Sequence, residues 1–347
     1  LSISLFSFIQ IHSQQTYLFT EYLTSLDSLT SEQASRYNKI QSQENYSFIK
    51  IVQFGDLESV QDEGIITVKT FEDSICGDVC FSAKNVEYIG EDNYYWYGEL
   101  IPKDTCKCLI GRLLLNCIEG ERFGLMQIDH LMYNIEDLSG GLQVLEKSIS
   151  DSTSTCGTPD STGFVSGPSF RTEGCDIDVL FLYTSSASQN LPNVNNTAIT
   201  GISLTNQALL NSAVSSYEVQ LRSVGIELLD FDYDESDKTM SEILDDIFSN
   251  SSSPPAPGSV AEYVATRRNA TYADLVVLLV DESVIRSTGV RGTNAINFCV
   301  VGAQNANAFF TISHEIGHTL GCKHERCSDE DAPGSACVNE TTGYYHA

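Results

Sequence analysis

An eleven-residue stretch near the end of the chain concentrates residue types that can do chemistry. It reads His314-Glu-Ile-Gly-His-Thr-Leu-Gly-Cys-Lys-His324 and holds three of the six histidines. On an α-helix, residues i and i+4 share one face, so His314 and His318 can direct two imidazoles at one ion. Glu315 stands beside the first of them and can reach a metal-bound water. The alternative is an amphipathic helix with incidental histidines, but five fixed positions rarely coincide by chance.

A glycine after the second histidine allows a third ligand to reach the same ion. Gly321 adopts positive φ at low cost, so the predicted helix can end there and the chain can turn back toward the metal with His324. Three histidines leave the fourth tetrahedral position open for water, which is the arrangement of a catalytic zinc. Zinc lowers the pKa of that water to about 7 and polarises a carbonyl, while Glu315 accepts the proton.

These residues resemble the metzincin zinc metalloendopeptidases, whose motif is H-E-x-x-H-x-x-G-x-x-H. Within them the chain is similar to the reprolysin (adamalysin-like) and peptidyl-Asp metalloendopeptidase families, over about residues 175–347. The second likeness includes three further segments, namely residues 177–187, 205–212 and 273–281. The resemblance implies one catalytic Zn²⁺ ion held by the three histidines. It also implies Glu315 as general base and hydrolysis of internal peptide bonds.

The sequence departs from the family pattern downstream of the motif. Glu325 stands where reprolysin-like members usually have Asp, and Thr319 where Asn is frequent. Metzincins place a Met-turn below the zinc after the third histidine, whereas the last methionine here is Met240. We therefore expect the catalytic domain, residues 175–347, to be C-terminally incomplete.

Cys156, which is followed by a glycine, is a second candidate for metal chemistry. A thiolate is a good zinc ligand and can displace the catalytic water. The resemblance to reprolysin-like precursors implies a cysteine switch that keeps the enzyme latent, and an ordinary disulfide is the alternative. Eleven cysteines and five N-x-S/T sequons favour a secreted, disulfide-bonded glycoprotein.

The elements that would position the motif alternate between strands and helices after residue 175. Apolar runs at 177–183 and 274–280 are typical of strands covered on both faces. Helical spacing follows at 198–217, with shorter helices at 241–248 and 260–268. This alternation of strand and helix patterns predicts an α/β (α+β) catalytic domain with a mixed sheet and an active-site helix over about 308–321. We expect the strand at 298–301 to form the cleft edge and to pair with extended substrate.

Three segments precede this domain. Residues 1–14 are interpreted as a partial signal peptide, with a buried strand as the alternative. Residues 15–150 show short alternating segments, which predict a β-rich propeptide domain in which the aromatic run 94–97 packs within strands. Residues 151–174 are rich in Ser, Thr, Gly and Pro and predict a linker that carries Cys156.

The charge balance limits the partners. The formal charge of −28 disfavours nucleic acid and anionic lipid, and no apolar run is long enough to span a membrane. We expect an extracellular protein that acts on proteins or peptides. An acidic cluster at residues 329–331 has the oxygen ligands that Ca²⁺ prefers, but a solvated loop is the favoured interpretation.

Two other functions are compatible with the fold that the sequence predicts. The first is a non-catalytic adhesion or binding protein on a metalloprotease fold, which the intact Glu315 disfavours. The second is a zinc amidohydrolase, which would not call for a latency propeptide.

Overall fold

The computed structural model describes residues 16–22, 25–42, 46–55, 64–68, 78–88, 93–102, 111–128, 131–148, 175–212, 214, 219–248, 255–286, 292–295, 297–307, 310–320 and 322. These residues form a ten-stranded sheet in the first part of the chain and a five-stranded sheet in the second. We call the parts before residue 149 and after residue 174 the first and second domains. The predicted signal peptide and linker lie outside the described residues.

The first domain is β-rich. Its sheet has the order β1-β4-β5-β6-β7-β8-β9-β10-β3-β2, and the β1–β4 pair is parallel while the other pairs are antiparallel. A 3-10 turn (Leu26–Ser28) precedes the α-helix α1 (Ser31–Gln41), which begins at a capping box formed by Thr30 and Gln33. The role of this domain as a propeptide stays a prediction. The strands are β1 (Thr16–Tyr17), β2 (Phe19–Tyr22), β3 (Tyr46–Phe54), β4 (Ile65–Val68), β5 (Val79–Tyr88), β6 (Tyr94–Leu100), β7 (Gly111–Ile118), β8 (Glu121–Ile128), β9 (Leu131–Ser139) and β10 (Leu142–Ser148).

The central strands of this sheet bury side chains on both faces. Successive residues of a strand point to opposite sides, so Leu113 and Leu115 enter the core of the first domain while Leu114 between them faces the other way. The aromatic run in β6 divides in the same manner, with Trp96 in that core and Tyr95 and Tyr97 on the opposite face. The second apolar face is available to another part of the molecule.

The second domain is built on a mixed sheet of order β12-β11-β13-β15-β14, in which β14 is antiparallel to β15 and the other pairs are parallel. The prediction of an α/β architecture with a mixed sheet is confirmed. Its elements are β11 (Cys175–Tyr183), α2 (Ser185–Asn190), α3 (Val194–Asn211), β12 (Val219–Leu228), α4 (Met240–Ile247), α5 (Val260–Thr271), β13 (Leu275–Val280), β14 (Gly292–Ala295), β15 (Phe298–Gly302), a 3-10 turn (Ala303–Asn305) and α6 (Thr311–Thr319).

Helices cover both faces of this sheet. α2, α3 and α6 pack on one face, and α4 and α5 pack on the other. β13 lies in the middle and all six of its residues are buried, as expected for an apolar strand between two helical layers. No helix in the described ranges is long and apolar enough to cross a bilayer.

One expectation about the sheet is wrong. The strand at 298–301 was expected at the cleft edge, but β15 lies between β13 and β14 and is hydrogen-bonded on both sides. Among the described strands, β14 takes the edge position instead. Its sequence, Gly-Thr-Asn-Ala, lacks the apolar residues that favour strands, so only pairing with β15 reveals it.

The first domain also contains a titratable group that should make its stability depend on pH. Glu136 in β9 has a carboxylate oxygen, Oε2, that is shielded from solvent and finds no hydrogen-bond partner among the described residues. Burial, with help from the neighbouring charges of Asp137 and Glu121, raises the pKa of Glu136 from 4.5 to about 8. The folded state therefore keeps a proton that the unfolded state loses between these pH values.

We expect Glu136→Gln to stabilise the protein increasingly as pH rises from about 4.5 to 8. Over this window the wild type loses stability with rising pH because its unfolded state binds fewer protons, whereas glutamine does not ionise. The free energy of unfolding of the variant should exceed that of the wild type by about 1 kcal/mol or more at pH 8. Urea unfolding at pH 5 and 8 measures this difference. Glu87→Gln, at an exposed position of β5, is the control and should leave the pH dependence unchanged.

Candidate metal centre

Helix α6 brings two of the predicted ligands together. His314 and His318 lie one turn apart, and their Nε2 atoms approach to 3.0 Å. The rings are nearly perpendicular, with an interplanar angle of 88° and centroids 4.5 Å apart. Two imidazoles on one tetrahedral zinc, at Zn–N distances of about 2.0–2.1 Å, would place their nitrogens about 3.3 Å apart. The pair therefore has nearly the spacing that one metal ion requires.

The turn after α6 orients the second imidazole. Nδ1 of His318 lies 2.8 Å from the carbonyl oxygen of Cys322, and the amide of Cys322 donates to the carbonyl of Gly317 at 2.9 Å. Because a carbonyl oxygen can only accept, Nδ1 carries the proton and Nε2 presents its lone pair. Metal-binding histidines are commonly oriented by such a second hydrogen bond. His318 is thus held in the tautomer that can bind a metal through Nε2.

The carboxylate of Glu315 is buried between α6 and the edge strand. Glu315 is 1% exposed, and Gly292 of β14 lies directly against it. A Cβ at position 292 would lie 2.7 Å from both Cγ and Oε1 of Glu315. Only a residue without a side chain leaves room for the carboxylate there. Nothing in the sequence indicated that Gly292 is a functional position, because its role depends on a contact with Glu315, which lies 23 residues further along the chain.

Helix α6 is held in place by α3. Ile312 and Ile316 are fully buried in the core between the sheet and α3. A Cβ on Gly201 of α3 would lie 2.7 Å from the side chain of Ile312, so the glycine permits a close approach of the two helices. Thr205 of α3 donates a hydrogen bond to Ser313 at 3.1 Å. Apolar and polar contacts together fix α6 against the domain core.

Several predicted site residues lie outside the described residues: Gly321, His324, Cys156 and the acidic cluster at 329–331. In the part of the chain that the structure describes, no group of three or more His, Cys, Asp or Glu side chains could hold a metal ion. Two of the three expected ligands belong to that part, so the third ligand and the cysteine switch stay predictions. The predicted helix over 308–321 is observed as Thr311–Thr319.

Two converging imidazoles on a helix, next to a buried glutamate and beneath the edge of a mixed sheet, are features shared with sites of the metallopeptidase class. Comparison with known families agrees: residues 174–345 match a reprolysin model described as Metallo-peptidase family M12. The match supports a metzincin-like M12 domain in this part of the chain. A metalloprotease is accordingly the class of enzyme that fold, site and family match support together.

Other comparisons add little. No curated protein matches the chain. Among solved structures, one described as "Structure of a chaperone-substrate complex" matches with 21% identity and a TM-score of 0.33. The match covers 44% of this chain and 24% of the other, so this chain spans about a quarter of the length of that structure. With so low a TM-score, the likeness carries no argument about this protein.

The contact between Gly292 and Glu315 predicts that a side chain added at position 292 lowers activity without unfolding the protein. The methyl group of Gly292→Ala would push the flexible glutamate side chain aside rather than displace backbone, so the fold should tolerate it. We expect kcat for peptide hydrolysis to fall by roughly 10- to 100-fold, as misplacements of about 1 Å do, with zinc content unchanged. The matched control is Gly317→Ala on α6, whose Cβ would meet Cys322 at an ordinary 3.8 Å. Equal activity in the two variants would contradict this role for Gly292.

Proposed function

We propose that this protein is a secreted zinc-dependent metalloendopeptidase, made as a latent precursor. In this proposal His314, His318 and His324 bind one Zn²⁺ ion and Glu315 is the general base. The observation that carries it is the 3.0 Å approach of the two Nε2 atoms beside a buried glutamate. The M12 family match over the same domain supports it independently.

The described residues fit the chemistry that hydrolysis needs. Zinc, when bound, supplies a Lewis acid that activates a water and polarises the scissile carbonyl. The carbonyl of Cys322 holds His318 in the metal-binding tautomer. Glu315 accepts a proton from the attacking water and passes it to the nitrogen of the departing amine as the C–N bond breaks. The close contact with Gly292 fixes the direction from which this carboxylate acts.

The edge strand β14 provides a binding mode for an extended peptide. β15 occupies one side of β14, and its other side pairs with none of the described strands. The backbone groups of an edge strand can pair with an incoming chain. Because Gly292 belongs to β14 and contacts Glu315, a peptide paired with this edge would run past the general base. We therefore propose protein or peptide substrates bound in extended form along β14.

The central test compares zinc content with proteolysis in full-length protein from a secretory host. We expect about one zinc per chain in both the wild type and Glu315→Gln, since the glutamate is not a ligand. In the Cys156→Ala background, which removes the proposed latency, casein cleavage should fall by roughly 10²- to 10⁴-fold on adding Glu315→Gln, because the general base is lost. His318→Ala should lose both zinc and activity.

Zinc binding without proteolysis in the wild type and in Cys156→Ala would favour a binding protein. Hydrolysis of non-peptide amides alone would favour an amidohydrolase.

Latency requires its own test, at the proposed cysteine switch. If the thiolate of Cys156 occupies the fourth zinc position, Cys156→Ala should cleave casein without prior activation, whereas the wild type should need proteolysis or a thiol-reactive mercurial. Both proteins should unfold at similar temperatures. If Cys156 instead forms a structural disulfide, the alanine variant should lose stability by about 2–5 kcal/mol and gain no activity.

A further inference from the structure

An apolar cluster joins the two domains. It combines side chains from the second face of the first-domain sheet with one residue of α3 and the residue that precedes α6. We call it the interdomain cluster, and its members are Tyr95, Tyr97, Leu114, Leu125, Met132, Leu204 and Phe310. Burial of such a face removes apolar area from water, so the cluster contributes to the attraction between the domains.

Hydrogen bonds around this cluster join polar groups of the first domain to polar groups of the second domain. Each joins a residue of the first domain to a residue of α2, of α3 or of the turn between them. The bonds are Tyr95 Oη to Gln207 Oε1 (3.1 Å), Asn116 Nδ2 to Thr200 Oγ1 (3.4 Å), Ser203 Oγ to Asn116 Oδ1 (2.9 Å), Asn193 Nδ2 to Glu121 Oε2 (3.0 Å) and Lys39 Nζ to the Ser188 carbonyl (2.7 Å). Tyr95, Asn116 and Gln207 are buried, so the domains are fitted to each other in a defined register.

Phe310 has an unusual backbone for the start of a helix. Its φ and ψ are 57° and 27°, in the left-handed region that is costly for a bulky residue. No side chain caps α6 at this position. The carbonyl of Phe310 accepts the amide of His314 at 2.8 Å, so the conformation of Phe310 sets where the first turn of α6 begins. The side chain of Phe310 packs against the interdomain cluster.

We infer that, in the precursor, the first domain positions the metal-binding helix through Phe310. Packing of the phenylalanine ring on the first domain offsets the cost of its left-handed backbone and so holds the start of α6, one turn before His314. Loss of that packing lets Phe310 relax to an ordinary conformation, shifts His314, and weakens the convergence of the two imidazoles. Phe310 is thus a positioning residue and the interdomain cluster is its support. The consequence for zinc binding rests on the proposed function; the effect on α6 does not.

Adjacent leucines of β7 provide a matched pair of variants. Leu114→Ala removes a side chain of the interdomain cluster, whereas Leu113→Ala removes an equally buried one from the core of the first domain. We expect Leu114→Ala to raise the zinc dissociation constant at least tenfold, measured by competition with a chelator in the full chain. In the metal-free protein it should also speed hydrogen exchange of the His314 amide at least tenfold. Leu113→Ala should change either quantity less than twofold.

Variants of Phe310 separate the ring from the backbone. Phe310→Ala loses the ring that offsets the cost of the left-handed backbone, so residue 310 should relax and its zinc affinity and amide exchange should change as in Leu114→Ala. Phe310→Gly also loses the ring but accepts positive φ without cost, so it should recover most of the wild-type values. The double variant Leu114→Ala/Phe310→Ala should be little worse than either single variant, because both remove the same contact.

The outcomes separate the two hypotheses. Equal effects of Leu113→Ala and Leu114→Ala on His314 exchange, or no effect of either, would overturn the positioning role. Faster exchange in Leu114→Ala but no zinc binding by the wild type would support the positioning role and contradict the proposed function. A glycine variant as impaired as the alanine variant would show that the backbone conformation of Phe310 does not matter, and would also overturn the inference.

Discussion

The 3.0 Å approach of the Nε2 atoms of His314 and His318 is the contact around which the second domain is organised. Since the Cys322 carbonyl accepts a hydrogen bond from Nδ1–H of His318, the Nε2 lone pair of His318 points at its neighbour. Either the hydrogen of a neutral Nε2–H on His314 or a metal ion shared by both nitrogens can satisfy this lone pair. The sheet, the close approach of α3 at Gly201 and the edge strand all fix the helix that carries the pair.

The local geometry of the candidate site could be predicted from the sequence, because it depends on residues within one helical turn. The spacing of His314 and His318 requires only the geometry of an α-helix, and the adjacent glutamate follows from the same stretch. Continuous apolar strands such as β13 were also predictable, since burial on both faces leaves a run of apolar residues without alternation. For the same reason the α/β character of the second domain followed from the alternation of strand and helix patterns.

The features that sequence reasoning missed all depend on contacts between distant residues. The cleft edge was assigned to the strand at 298–301, but the short strand at Gly292 lies outside it and carries no apolar pattern. Helix α6 starts three residues later than expected, directly after Phe310, whose backbone is left-handed and whose ring packs on residues of the first domain. The aromatic run of β6 was correctly assigned to strand packing, yet its sequence did not show that alternate rings contact different domains.

The strand order of the second domain has a consequence for how the protein is synthesised. β11, the first strand of this sheet to leave the ribosome, lies inside the sheet, and its neighbour β13 arrives about 100 residues later. Such long-range parallel pairing is slow, because a large loop must close before the contacts form. The hairpin-rich first domain is complete before β11 is made, since most of its strands pair with a strand nearby in the chain. A finished β surface is therefore available as a template when α3 emerges, well before the histidines are translated.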